Sequence, residues 1–91
     1  MSSLDDVFEQ MRLFRKALLE FNEEVRGSAA GLAKAHDEVG GLWRDEAASR
    51  YRQAYEPLAQ SLDTYLRDGA PRFERFLENK IGQLERYLNG G

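Results

Sequence analysis

The stretch LDDVFEQMRLFRKALLEFNEEVRGSAAGLAKAHDEV, residues 4–39, decides the fold. Stepping alternately by three and four from Leu4 passes through Val7, Met11, Phe14, Leu18, Phe21, Val25, Ser28, Leu32, Ala35 and Val39. Ten of those eleven positions are apolar, where a chain that is 42% hydrophobic would fill four or five. That is a heptad a/d seam held over five repeats, the pattern of a long helix built to lie against other helices. Ser2 or Ser3 can cap its first turn, and Asp5 and Asp6 sit at the positive end of its dipole. Gly40-Gly41 predicts the stop, because glycine accepts the left-handed conformation that ends many helices. A helix over about 3–39 would be roughly 55 Å long at 1.5 Å per residue. Gly27 and Gly31 each weaken it by about 1 kcal/mol relative to Ala, or mark a place where a partner helix comes close.

After a connector at 40–44, helical spacing resumes at about residue 45, where Asp45 and Glu46 suit an N-terminus. Ala48, Tyr51, Tyr55, Leu58 and Leu62 follow three or four apart, and the series continues through Leu66, Ala70, Phe73, Leu77, Ile81 and Leu84 to Leu88. Its steps from Tyr55 average about 3.67, which suits a nearly straight helix. Pro71 argues for an interruption within Arg67–Pro71, since it cannot donate to the Arg67 carbonyl and its ring crowds that turn. The expected second arm is therefore a helix over about 45–68 and a second helix or continuation over about 71–88. Pro57 predicts a milder bend, and the tail 89–91 should fray. The whole chain, 1–91, reads as one all-α domain, an antiparallel hairpin with Trp43 in its turn. Two helices cannot cover so wide an apolar stripe, and Phe8, Leu13, Leu19, Trp43, Phe76 and Tyr87 lie off or beside the seam as well. Dimerisation into a four-helix bundle is the economical solution, with Val7, Met11, Phe14, Leu18, Phe21, Val25, Tyr55, Leu58 and Leu62 as candidate interface residues.

Composition narrows the function. With 91 residues, the chain's own core is marginal. The absence of cysteine excludes a disulfide framework and any thiolate metal site. A formal charge of −3 argues against nucleic acid as the main partner. No apolar run approaches the roughly 20 residues of a membrane span, and no cleavable signal peptide is expected. His36 is the single histidine, with no second ligand or base at a matching spacing, so no metal or catalytic role is assigned to it. The acids Asp5/Asp6 and Glu20/Glu23/Glu24 lack the alternating ligands of a calcium loop and read as solvated helix face. Glu46–Arg50, Asp63–Arg67 and Asp68–Arg72 stand four apart in the stabilising order, which makes those arginines ion-pair partners rather than a phosphate-binding stripe. No nucleophile with a base, metal set or phosphate loop is visible, so neither catalysis nor a cofactor is expected.

The stretch Leu42-Trp43-Arg44-Asp45-Glu46-Ala47-Ala48-Ser49-Arg50-Tyr51 resembles the turn of the WXG family, the hundred-residue, early secretory antigen-like substrates of type VII secretion. That family's pattern is Trp, any residue, Gly, then small residues and an aromatic about eight positions after the Trp. Trp43, Ala47, Ala48 and Tyr51 match it, whereas Asp45 stands in place of the glycine. Length and layout match over the whole chain. The resemblance implies a non-enzymatic, dimeric substrate or adaptor of a type VII-like system. Its partners would be a second copy or a related small helical protein, together with a secretion ATPase or larger effector. The family's C-terminal signal, Tyr followed four residues later by an acid, is missing: Tyr55, Ala59, Gly69 and Gly91 stand four after Tyr51, Tyr55, Tyr65 and Tyr87. Export would then depend on a partner. The alternative is a cytoplasmic coiled-coil scaffold or chaperone-like adaptor that covers apolar helices of a larger client.

Overall fold

A computed structural model describes residues 3–90, so Ser2 as a cap and fraying of Gly91 fall outside the described residues. Three α-helices account for nearly all of them: α1, Leu4–Leu42; α2, Glu46–Thr64; and α3, Ala70–Leu88. A single π-turn, Tyr65–Gly69, joins α2 to α3 without a break, so the second arm is continuous from Glu46 to Leu88. The result is a helical hairpin 66 Å long and 21 by 16 Å across. Its radius of gyration is 19.8 Å. A compact chain of this length would have about 12 Å.

The helix starts follow from local chemistry. Ser3 Oγ accepts from the Asp6 amide at 3.2 Å, and Asp6 Oδ2 accepts from the Ser3 amide at 3.3 Å. This reciprocal capping satisfies two amides that the first turn would otherwise leave without partners. At α2, Asp45 Oδ1 accepts from the Ala48 amide at 3.0 Å. Asp45 is thus the cap of α2.

The helix ends differ from expectation. α1 runs through Gly40 and Gly41 to Leu42, and the connector is Trp43–Asp45 rather than 40–44. Neither glycine adopts positive φ; Gly90 does, at +72°, just beyond α3. What ends α1 is a tertiary contact. Trp43 leaves the helix with extended backbone, its amide donating to the Val39 carbonyl at 2.9 Å. Arg52 of α2 then donates to the Trp43 carbonyl at 2.8 Å.

The expected interruption near Pro71 takes the form of the π-turn, and α2 likewise runs through Pro57. A wider turn just before Pro71 lies where the proline needs it, since its ring crowds the carbonyl four residues earlier. The turn also answers a misfit in the sequence. Tyr55, Leu62, Ala70, Leu77 and Leu84 are all at least half-buried and are spaced 7, 8, 7 and 7. The one eight-residue step spans the π-turn, which takes up the extra residue and keeps α3 in register with α1.

Side-chain size sets how closely the arms approach. α1 packs mainly on α3, where Ala70 and Leu77 are buried. Against α2 it packs thinly, because His36, Trp43, Tyr51 and Tyr55 stand between the backbones.

Candidate interaction surface

Three heptad rows run along α1, and the hairpin treats them differently. The row facing the second arm is Phe8, Arg15, Asn22, Ala29 and His36, every member at least half-buried. Only two of those five are apolar. The row Leu4, Met11, Leu18, Val25, Leu32 and Val39 is wholly apolar, and of its six members Met11, Leu18 and Val25 are half-buried. Beside it, Val7, Phe14 and Phe21 form a third row that lies in the open, with Phe14 51% and Phe21 54% exposed. The hairpin therefore closes over its mixed row, half-covers the wholly apolar one and leaves Val7, Phe14 and Phe21 in the open.

The second arm extends this face. Phe73 meets Phe14 edge-on, their ring centroids 6.0 Å apart, and Phe76 stacks beside Phe73 at 6.4 Å. Phe73, Phe76, Tyr87 and Leu58 are all exposed. Near the open end, Leu4, Met11, Phe76, Lys80, Leu84 and Tyr87 line a groove of about 530 Å³. Lys80 Nζ lies 5.7 Å from the centre of the Phe76 ring. Farther along, Phe21, Glu24, Val25, Leu32 and Leu62 line a smaller hollow of about 270 Å³. Buried apolar side chains are few by contrast: Ala48, Ala70 and Leu77.

Of the candidate interface residues, Val7, Phe14, Phe21 and Leu58 are exposed, whereas Met11, Leu18, Val25, Tyr55 and Leu62 are half-buried between the arms. Phe14 and Phe21 share the open face, Leu62 borders the hollow beside Phe21, and Tyr55 belongs to the aromatic cluster at the hairpin end. Gly27 and Gly31 are exposed, and nothing lies within 4 Å of a Cβ built on either. They mark no close approach within the hairpin.

At the hairpin end, Trp43 is half-buried with its ring 5.6 Å from that of Tyr51. Tyr51 continues to Tyr55, and His36 stacks on Tyr55 with centroids 3.9 Å apart and planes 12° from parallel. His36 Nδ1 also lies 3.2 Å from Tyr51 Oη. Ala48 is buried, whereas Asp45 and Ala47 are exposed. The turn residues thus form a packed aromatic end with an acidic cap. Among the described residues, no group of three or more His, Asp or Glu side chains stands close enough to hold a metal, and no helix is long and apolar enough to cross a membrane.

A polar cluster at mid-hairpin has no counterpart in the apolar seam read from the sequence. Asn22 is 1% exposed. Its amide donates to Glu74 Oε2 at 2.7 Å, and its carbonyl accepts from Tyr65 Oη at 2.5 Å. Tyr65 opens the π-turn, so one buried asparagine ties α1 to both sides of that turn. The sequence signal was present but faint: Asn22 falls in the 8-15-22-29-36 row, where a polar residue looks like a solvated position until the row is known to face inward. Arg15, one heptad away, donates to Glu78 Oε1 at 2.6 Å and adds a second cross-arm polar contact. Of the three spaced ion pairs, Glu46–Arg50 and Asp63–Arg67 form at 3.3 and 3.1 Å, while Asp68 turns to its neighbour Arg67 instead of Arg72.

No family model, curated protein or solved structure matches this chain. The functional reading therefore rests on the residues and their geometry.

Proposed function

We propose that this protein is a non-enzymatic helical-hairpin adaptor that works as one half of a folded helical pair. The observation that carries the reading is the exposure of the apolar rows through Leu4, Val7, Phe14 and Phe21 with Phe73 and Phe76 alongside. Burying one large apolar side chain contributes about 1.5–3 kcal/mol, so a second helical chain seated on this face gains several such terms at once. The hairpin is a rigid carrier for that face. The WXG-like turn makes a type VII-like export pair the concrete form of the adaptor, with the Trp43 end and the helical tail displayed to the export machinery or to a larger effector.

In this reading the chain travels with a partner, because none of its tyrosines has an acid four residues later. That spacing places two side chains on one helix face about a turn apart, where they can be read together. The test expresses the chain alone and with candidate neighbours in a type VII-secreting host and assays the medium. Export only in the presence of a partner supports the proposal, and efficient export alone refutes its dependence on one. Retention under every pairing shifts the reading to an intracellular adaptor for a larger helical client.

A further inference from the structure

We infer that the groove at the open end of the hairpin binds one long-chain carboxylic acid, its alkyl chain between the arms and its carboxylate on Lys80. The site goes beyond the adaptor reading and does not depend on it.

The walls select a single slim chain. The groove begins about one turn past the edge-on contact of Phe14 with Phe73 and runs toward the open end. Leu4 and Met11 of α1 form one wall, and Phe76, Leu84 and Tyr87 of α3 the other, around about 530 Å³. That volume lies in the range of small-ligand sites. Between Phe76 and Tyr87, α3 rises about 16 Å, and a helix of that length and 10 Å across occupies roughly 1,200 Å³. A partner helix can therefore lie on top of the groove but not within it. An extended peptide is slim enough, yet its amides and carbonyls need partners there. Apart from Lys80, Gln83 and the Tyr87 hydroxyl the lining side chains are apolar. An alkyl chain has no such groups to satisfy.

Charge selects the head. Lys80 is the one charged residue of the groove. Four other hollows along the hairpin each carry an acid: Asp6, Glu24, Asp5 with Glu85, or Glu9 with Glu78. In a chain with 16 Asp and Glu against 13 Lys and Arg, a hollow that holds a cation and no acid is against composition. The Lys80 ammonium is also unpaired. Its neighbours three and four residues away are Phe76, Leu77, Gln83 and Leu84, so no acid on α3 is spaced to meet it. Among the described residues, no ion pair within 4 Å includes Lys80. Its Nζ lies instead beside the Phe76 ring, on an exposed residue whose head stays in water. One cation matches the single charge of a carboxylate, whereas a phosphate carries about −1.5 to −2. A carboxylate held there keeps its own hydration while the alkyl chain runs along Leu84 and Leu4.

Titration calorimetry of the full chain with laurate, kept below its micelle-forming concentration, tests the site. One laurate per chain is expected, with affinity rising about two- to fourfold for each methylene between decanoate and laurate. Lauryl alcohol, the same chain without the charge, should bind about two- to fivefold more weakly. Lys80→Gln should erase that preference. Tyr87→Glu, at a 69% exposed wall position, should weaken both ligands, and Phe21→Ser, outside the groove and 54% exposed, should change neither. All three sites are exposed, and circular dichroism verifies that each variant folds. Absence of laurate binding overturns the proposal, as does a preference for the carboxylate that survives Lys80→Gln. Binding to phosphatidylglycerol vesicles without binding to monomeric laurate overturns it in favour of a membrane surface. A co-expressed helical chain whose binding is lost in Tyr87→Glu while laurate binding is not assigns the groove to a protein and overturns it too. None of these outcomes touches the export test of the adaptor reading, so the two fail separately.

Discussion

Asn22→Ala should be the most damaging single polar substitution in the hairpin. The asparagine is buried, donates to the Glu74 carboxylate and accepts from the Tyr65 hydroxyl. A hydrogen bond to a charged group contributes about 1.5–3 kcal/mol and a neutral one about 0.5–1.5, so losing both removes about 2–4.5 kcal/mol. Tyr65→Phe deletes only the neutral bond but leaves the Asn22 carbonyl buried without its donor, a cost of about 1–3 kcal/mol. Since each substitution removes the same Asn22–Tyr65 contact, the pair should be non-additive by about 0.5–3 kcal/mol in a double-mutant cycle. Urea unfolding followed by helical circular dichroism measures all four proteins, at one protein concentration because any self-association raises apparent stability. In a heat scan the Asn22→Ala loss corresponds to roughly 4–8 °C for each kcal/mol in a domain of this size. An Asn22→Ala protein within about 0.5 kcal/mol of the parent, in the range of an ordinary surface change, would refute the reasoning. Strict additivity of the cycle would do the same.

Gly27→Ala and Gly31→Ala, at exposed helical sites with open space for a Cβ, should each stabilise by about 0.5–1 kcal/mol, whereas Gly69→Ala should not, because its Cβ would meet Tyr65 Cδ1 at 3.2 Å. Thermal midpoints of the three variants check this. Deleting Asp68 makes the step from Leu62 to Ala70 seven residues like the others, so the π-turn should revert to regular α-helix with Ala70 and Leu77 kept on the buried line. A cooperative thermal transition followed by circular dichroism checks this, and its loss would refute the reading of the turn as an absorbed extra residue. Trp43 emission should be blue-shifted in the native protein and move to the red on unfolding; Tyr51→Ala should give part of that shift and cost about 1 kcal/mol of stability.

The sequence carried the hairpin, both helix starts and the location of the strain in the second arm. Ser3 and Asp45 cap through their own neighbours, so local chemistry suffices to read them. The end of α1 was not legible at Gly40-Gly41. A glycine pair permits a stop but does not impose one, and the stop here is set by the Trp43–Tyr51 and Trp43–Arg52 contacts, with partners eight and nine residues away. Pro71 and the eight-residue step from Leu62 to Ala70 both pointed to the π-turn. Averaged into a spacing near 3.67 they suggested a straight helix; taken as a single insertion among sevens, they place the wider turn. The polar members of the inward row were not legible from α1. Asn22 and Arg15 sit inward because Tyr65, Glu74 and Glu78 reach them from the other arm, and no property of α1 alone reveals that.

The division between the rows has an energetic consequence. Polar cross-arm contacts each contribute about 0.5–3 kcal/mol net, the larger values where a carboxylate accepts, since their groups are hydrogen-bonded to water in the unfolded chain. They also discriminate sharply among alignments. Sliding the arms by one heptad would set Arg15 or Ala29 opposite Tyr65 and Glu74, leaving a buried hydroxyl or carboxylate without its asparagine, and a buried polar group without a partner costs more than a satisfied one contributes. The mixed row therefore selects one register. The apolar side chains, which could stabilise several registers almost equally, remain free of that task, and Val7, Phe14 and Phe21 among them face outward. A hairpin arranged this way is closed by specificity inside and holds most of its unspent burial energy outside. Its stability should consequently rise with the concentration of whatever chain covers Phe14, Phe21, Phe73 and Phe76, so that folding and association form one equilibrium rather than two.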